Sequence, residues 1–274
     1  VVVGDVNSTM AASVVAAKLL IPVAHVEAGL RSFDRTMPEE INRIVTDRLA
    51  DLLLTPSRDA SDNLRAEGAA EETIHLVGNV MIDTLRRHLP IAQLDRVRDR
   101  VPVGDAAYAV LTLHRPSNVD RADTLREILR AVRHVTALMP VVFPVHPRTR
   151  ARLDEFGLSA ELDGALVTEP LGYIDFLALT SHASLILTDS GGLQEESTAL
   201  GIPCLTLREN TERPITVTDG TNRVVGTRAA DIISGVDAAL ASTAGPPRLP
   251  ELWDGRAAER VARVLAGFLA LGGA

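Results

Sequence analysis

Short runs of apolar, mostly β-branched residues alternate with longer stretches of helical pattern from one end of the chain to the other. No other feature constrains the fold as much. Strands are expected over 1–3, 22–26, 52–55, 74–77, 109–113, 141–145, 185–188 and 204–207. Helices are expected over 8–20, 39–49, 57–67, 122–138, 173–181, 192–200, 229–241 and 254–270. Ser8 reads as the N-cap of the first helix, and Pro38 stands near the first position of the second. Strands that are apolar on both faces belong to parallel sheets covered by helices on each side, so the fold class is α/β. A chain of 274 residues suggests two domains, and 46% apolar residues are enough to build their cores. A polar stretch between Gly78 and Tyr108 separates two βα series. The boundary is read at Gly78-Asn79, giving an N-terminal domain over 1–78 and a C-terminal domain over 79–274, with the last helix available to pack back on the first. Both domains read as doubly wound. The first is short of strands, because the chain opens on Val1-Val2-Val3 as a strand already under way, without a methionine.

Composition excludes several classes of function. With 28 basic against 36 acidic residues, the net charge of -8 argues against a nucleic-acid binder, so any phosphate sits in a local pocket. Aromatic residues make up only 3%, too few for a base-stacking surface. Cys204 is the single cysteine and cannot form an internal disulfide, which suits a reducing, cytoplasmic setting. Lys18, Glu27 and Arg31 interrupt the most apolar stretch, so no run reaches membrane-spanning length, and no membrane partner is expected. The seven histidines are scattered, without an HExxH or a Cys/His cluster, and no G-x-S-x-G elbow is present. Neither a metal nor a cofactor is called for.

The most informative stretch is Thr188-Asp189-Ser190-Gly191-Gly192-Leu193-Gln194-Glu195-Glu196. A strand ends at Thr188 and a helix starts near Gly192. Two glycines there let a diphosphate approach the unpaired N–H groups and the positive end of the helix dipole. The stretch is neither a Walker loop nor a dinucleotide fingerprint. Glu196, about one turn into the helix, is placed to accept from the hydroxyls of a ribose. An ordinary βα turn with a polar cap accounts for the same residues equally well. Arg213 follows the next strand and can clamp phosphate oxygens bidentately, or simply pair with Glu212. His146, just past the strand over 141–145, is a further candidate on that edge, or a cap for the helix that follows Pro147.

Carboxylates gather at strand ends in the first domain. Asp5 ends the opening strand, Glu27 ends the second, and Glu39 and Glu40 begin a helix after Pro38. A partly desolvated carboxylate at such a place can be raised toward neutrality, as proton transfer requires. Individually each can equally cap backbone or complement a helix dipole. His114 ends the first strand of the second domain and would complete an acid–base set with them.

Taken in order, these segments resemble the bacterial UDP-N-acetylglucosamine 2-epimerase family, of the non-hydrolysing kind. The resemblance runs through Gly4-Asp5-Val6-Asn7-Ser8-Thr9, His25-Val26-Glu27-Ala28-Gly29-Leu30-Arg31, Pro38-Glu39-Glu40-Ile41-Asn42-Arg43, Gly78-Asn79, Leu113-His114-Arg115, Pro144-Val145-His146, the 189–196 stretch and Thr211-Glu212-Arg213-Pro214. It implies two Rossmann-like domains facing across a cleft, as in GT-B glycosyltransferases. It also implies interconversion of UDP-N-acetylglucosamine and UDP-N-acetylmannosamine through elimination of UDP to a 2-acetamidoglucal, followed by re-addition. By motif match, Asp5, Glu27 and Glu39 take the catalytic carboxylate positions, and His114 a catalytic or phosphate-contacting one. Arg43, His146, Ser190, Gly191, Gly192, Glu196 and Arg213 take the UDP site. A homodimer and a role in cell-surface polysaccharide synthesis are the family expectations. In two places the sequence departs from the family pattern: the segment expected before Val1, and Pro116-Ser117-Asn118 where members activated by a second substrate molecule carry Arg-Glu-Asn. Allosteric activation is therefore not expected. The rival readings are a UDP-sugar glycosyltransferase of the same fold, a hydrolysing epimerase and a non-catalytic UDP-binding fragment.

Overall fold

The structure is a computed structural model that describes residues 1–104, 106–242 and 249–272. The chain divides into two compact units, the first comprising Val1–Arg87, Glu212–Ile215 and the segment from Leu249 onward, the second His88–Thr211 and Thr216–Arg248.

The first unit runs β1 (Val2–Val3), α1 (Asn7–Lys18), β2 (Ala24–Val26), α2 (Pro38–Leu49), β3 (Leu52–Thr55), α3 (Arg58–Ala66), β4 (Ile74–Leu76) and α4 (Val80–His88). Its four strands form a parallel sheet in the order β1-β2-β3-β4. The register sets Val3 beside Val26 and Val26 beside Leu54, so the chain leaves β1 and β2 at neighbouring points of one sheet edge. Alternate strand residues face opposite ways. Ala24, Val26, Leu52 and Leu54 form one core with Val77, and Leu53 joins Ala28, Leu64 and Ile74 in another.

In the second unit, α5 (Asp95–Arg98), β5 (Ala109–Thr112), α6 (Pro116–Val119), α7 (Ala122–Leu138), β6 (Val141–Pro144), α8 (Pro147–Glu155), β7 (Ala165–Thr168), α9 (Tyr173–Ser181), β8 (Leu185–Thr188), α10 (Gly191–Leu200), β9 (Cys204–Thr206), α11 (Ile215–Thr218), β10 (Asn222–Val224) and α12 (Ala229–Ala241) follow one another, α11 beginning in the short first-unit segment. Six parallel strands lie in the order β10-β9-β8-β5-β6-β7. The winding direction therefore reverses between β5 and β8, which is the switch point where open parallel sheets open a crevice beyond their carboxyl ends. Leu125, Ile128, Leu129, Val132 and Val135 of α7 pack on Leu111, Val141 and Phe143 of the sheet.

The last helix, α13 (Ala257–Gly272), belongs to the first unit. Val261, Val264, Leu265 and Phe268 cover the core around Leu54. Asp83 of α4 accepts from the backbone N–H of Ala257 at 3.0 Å and of Ala258 at 2.7 Å, satisfying the first turn of α13 with a carboxylate. Trp253, 2% exposed, donates its ring N–H to the Pro56 carbonyl at 3.0 Å. Gly78 adopts φ +86°, and a Cβ there would stand 2.2 Å from the Leu252 carbonyl oxygen, so only glycine lets the returning chain pass so close.

The structure corrects the sequence reading in several places. Val6, not Ser8, is the N-cap of α1, and it makes no side-chain cap. The last helix starts at Ala257, since Trp253 and the Asp254 turn precede it. The polar stretch after Gly78 contains α4, β7 and β10 stand where no element is expected, and the helix that His146 caps after Pro147 is α8. Among the described residues no helix is long and apolar enough to cross a membrane.

Candidate functional site

Each unit carries one cluster of chemically active side chains at the carboxyl ends of its strands. In the first unit, Asp5 follows β1 and Glu27 follows β2. Glu27 has φ +75°, a conformation that costs a side-chain-bearing residue about 1–2 kcal/mol. Backbone bonds from the N–H groups of Glu27 (3.0 Å) and Ala28 (3.2 Å) to the Leu54 carbonyl hold it there. Gly4, at φ +69°, lies beneath it, and a Cβ at Gly4 would stand 3.4 Å from Glu27 Oε2. Arg213 Nη2 donates to Glu27 Oε1 at 3.0 Å, and Arg213 Nη1 donates to Glu212 at 2.9 Å. Burial pushes the Glu27 carboxyl up, Arg213 pulls it down, and Asp5 raises it further; the net direction is upward. A carboxyl raised in this way is suited to take up and return a proton.

Helix α2 supplies the other side of this cluster. Arg43, 1% exposed, pairs with Asp5 at 2.5 Å and with Glu40 at 2.8 Å. Asn42 Nδ2 donates to the Asp5 carbonyl at 2.8 Å and to Asn7 Oδ1 at 3.0 Å. Glu40, also 1% exposed, accepts from the backbone N–H of Ser32 and of Phe33, each at 2.9 Å. Burial alone would raise Glu40, but those N–H groups and Arg43 outweigh it and hold the carboxyl below its ordinary value. Glu39, one residue earlier, is exposed. Two adjacent glutamates thus have different work: Glu40 ties the 32–33 loop to Arg43, and Glu39 is accessible.

In the second unit the cluster sits at the β5–β8 switch point. Asp189 is fully buried and follows β8. Its carboxylate accepts from the backbone N–H of His114 at 3.0 Å and of Arg115 at 2.9 Å, and from Asn118 Nδ2 at 3.2 Å. His114 Nδ1 stands 2.9 Å from Asp189 Oδ1, and its side chain is 42% exposed. A carboxylate on Nδ1 fixes the tautomer and leaves Nε2 for chemistry or an anion. The ring centroid of His146 lies 6.0 Å from that of His114. His146 also caps α8, its Nδ1 accepting from the Arg148 N–H at 3.2 Å.

Helix α10 begins at Gly191 with Ser190 as N-cap, and no Ser190 side-chain bond closes it. The first-turn N–H groups are those an α-helix cannot pair internally, and no acidic side chain stands in that turn. Glu196 on the same helix is 5% exposed and accepts from the Tyr173 hydroxyl at 3.0 Å. Burial raises its carboxyl despite that bond. Among the described residues no group of three or more His, Cys, Asp or Glu is placed to hold a metal ion.

The sequence-derived candidates therefore fall into two groups. Asp5, Glu27, Glu39, Arg43 and Arg213 belong to the first unit, while His114, His146, Ser190, Gly191, Gly192 and Glu196 belong to the second. Asp189 and Tyr173 were not among them. Asp189 stood in the informative stretch, but its bonds to residues 71–75 positions away leave no local signal. Tyr173 reaches Glu196 across 23 positions.

The family model described as UDP-N-acetylglucosamine 2-epimerase matches residues 1–266. The chain is 43% identical over 273 residues to a UDP-N-acetylglucosamine 2-epimerase of Methanocaldococcus jannaschii, covering 97% of this chain and 74% of the relative. It is 40% identical over 272 residues to the UDP-2,3-diacetamido-2,3-dideoxy-D-glucuronate 2-epimerase of Pseudomonas aeruginosa, covering 97% and 73%. A crystal structure of the Methanocaldococcus jannaschii enzyme in complex with UDP-GlcNAc and UDP superposes with a TM-score of 0.88 at 42% identity, covering 96% of this chain and 74% of that one.

Proposed function

The chain belongs to the UDP-N-acetylglucosamine 2-epimerase family, and we propose that it interconverts UDP-N-acetylglucosamine and UDP-N-acetylmannosamine. The observation that carries the reading is Glu27, a carboxyl raised by burial and set beside Asp5 and Arg213. Removing the weakly acidic proton from C2 of a sugar needs a positioned base and a stabilised leaving group. In the forward direction a base takes the C2 proton, the C1–O bond to UDP breaks, and the electron pair forms the C1=C2 bond of 2-acetamidoglucal. UDP oxygen then adds back to C1 while a proton reaches C2 from the opposite face. Asp5, Glu27 and Glu39 supply the proton-transfer groups.

His114, oriented by Asp189, and His146 serve the departing diphosphate together with the amides of Gly191 and Gly192 and the Ser190 cap. Glu196 accepts from the ribose hydroxyls, Arg213 balances the negative charge, and Arg43, buried between Asp5 and Glu40, holds the carboxylate cluster in place. No metal or cofactor takes part in these steps. The chain works as a homodimer, which light scattering on the purified protein would check.

Incubation of either epimer in heavy water tests the reading. Epimerisation puts deuterium at C2 of both sugars with UDP conserved. An unlabelled C2 would point to a glycosyltransferase, net accumulation of UDP to a hydrolysing enzyme, and UDP binding without turnover to a non-catalytic nucleotide binder. The Pseudomonas aeruginosa relative, at 40% identity, favours one further reading, a diacetamido uronate as the sugar. Running both nucleotide sugars side by side and comparing kcat/KM decides between them.

A further inference from the structure

His25 lies in β2, is fully buried, and is not needed for any step above. Its two ring nitrogens face different partners. Nε2 stands 2.9 Å from the carbonyl oxygen of Gly4, and Nδ1 stands 2.6 Å from Asp47 Oδ1. A carbonyl oxygen can only accept, so Nε2 carries the hydrogen. Nδ1 is held at the same time by its short contact to the Asp47 carboxylate. The other oxygen of Asp47 accepts from the Gly29 N–H at 3.1 Å and from Arg31 Nη1 at 2.7 Å, and Arg31 in turn pairs with Glu67 at 2.7 Å. The ring therefore cannot rotate or exchange tautomer without breaking a buried ionic network, which is costly where no water can replace a lost partner.

The carbonyl held this way belongs to the residue that immediately precedes Asp5. Gly4 is gripped from both sides, since its own N–H donates to the Val26 carbonyl at 3.0 Å. Asn42 and Arg43 hold Asp5 from its far side, but at φ +69° and without a side chain Gly4 itself is fixed through its backbone N–H and carbonyl alone. The charged groups around the ring and the turn it holds are Asp47, Arg31, Asp5, Arg43, Glu27 and Arg213.

We infer that His25 is a positioning residue for the proposed reaction, its Nε2–H clamping the Gly4 carbonyl so that Asp5 is presented to the substrate, with Asp47 and Arg31 locking the ring. The inference rests on the epimerase reading for its kinetic consequence but not for its geometry. Glutamine and asparagine separate the two ring contacts, because a glutamine amide nitrogen falls near Nε2 and an asparagine nitrogen near Nδ1. Loss of the clamp in His25→Asn should lower kcat for C2 exchange by about 100-fold, the size expected of a displacement near 1 Å, with KM little changed. His25→Gln, which can still donate to Gly4, should keep most of the activity.

Nitrogen-15 NMR of the histidine rings gives a readout free of turnover: in the wild-type chain the Nε2–H of His25 should be protonated and protected from solvent exchange, and Asp47→Asn should remove that protection. Equal loss in the asparagine and glutamine variants, tracking their melting temperatures, would reduce His25 to a packing role and overturn the inference. An unprotonated Nε2 in the wild type would do the same even if neither variant folds. A wild-type chain with no C2 exchange would sink the epimerase reading instead, and the NMR experiment would still decide whether the clamp exists.

Discussion

Changing Glu27 to Gln keeps the shape of the side chain and removes its titration, and two consequences can be worked out separately. In catalysis, removing a proton-transfer group costs about 10²–10⁴ in rate, or roughly 3–5 kcal/mol of barrier. In stability the sign follows from the direction of the shift. Burial raises the folded-state carboxyl above its ordinary value, Arg213 opposing. Stability contributed by such a group is complete below its unfolded value and is lost as pH rises through the folded one. Glu27→Gln has no proton to lose, so its melting temperature should gain on that of the wild type as pH is raised through the raised carboxyl's range.

A glycine variant isolates the backbone. Relief of the φ +75° strain is worth about 1–2 kcal/mol, and glycine's extra unfolded-state freedom takes back about 0.5–1. Glu27→Gly should therefore melt at or slightly above Glu27→Gln, by about 2–4 °C per kcal/mol in a chain of this size. The assay is thermal unfolding by circular dichroism at a series of pH values, with C2 deuterium exchange measured on the same preparations. If the wild type instead gains on the glutamine variant with rising pH, or if Glu27→Gln exchanges C2 within about tenfold of wild type, the assignment of Glu27 is wrong.

Glu39→Gln should leave chemical denaturation within about 0.5 kcal/mol of wild type while abolishing most C2 exchange, because the side chain is exposed. Glu40→Ala should do the reverse first, costing about 3–5 kcal/mol by leaving Arg43 half-paired and the Ser32 and Phe33 N–H groups unmet. Since Glu40 is held below its ordinary value, the stability it contributes is lost as pH falls, and acid titration of the melting temperature should be shallower in Glu40→Gln. Asp189→Ala removes the acceptor shared by two backbone N–H groups, Asn118 and His114, and should cost several kcal/mol in urea titrations; a normal midpoint would refute the network. Trp253→Ala should destabilise the first unit by about 3–5 kcal/mol, measured by loss of hydrogen-exchange protection in β3, and unaltered protection would mean the C-terminal segment is not part of that core.

Much of this molecule was legible in its sequence. Strands such as β3 and β8 are buried on both faces, so their residues must be apolar in unbroken runs, and 52–55 and 185–188 were located to the residue. β7 and β10 form the two ends of their sheet, where partial exposure relaxes the demand for a buried apolar run, as Arg223 in β10 shows. Helix α8 is legible only at its His146-Pro147 start, because Arg148, Arg150, Arg152, Asp154 and Glu155 leave little apolar stripe to mark its extent. The glycines at the start of α10 and the carboxylates after β1 and β2 were also readable, since turn chemistry and strand ends are local properties of the chain. Pairing is not local. Whether Glu39 or Glu40 turns inward depends on how α2 is rotated against the turn around Asp5, and adjacent helical residues point about 100° apart. That His25 should meet Asp47, that Asp189 should gather His114 and Asn118, and that Arg213 should reach back to Glu27 are decided only when the sheets assemble. Burial then removes water as an alternative partner, and each charged group must take the one the fold supplies.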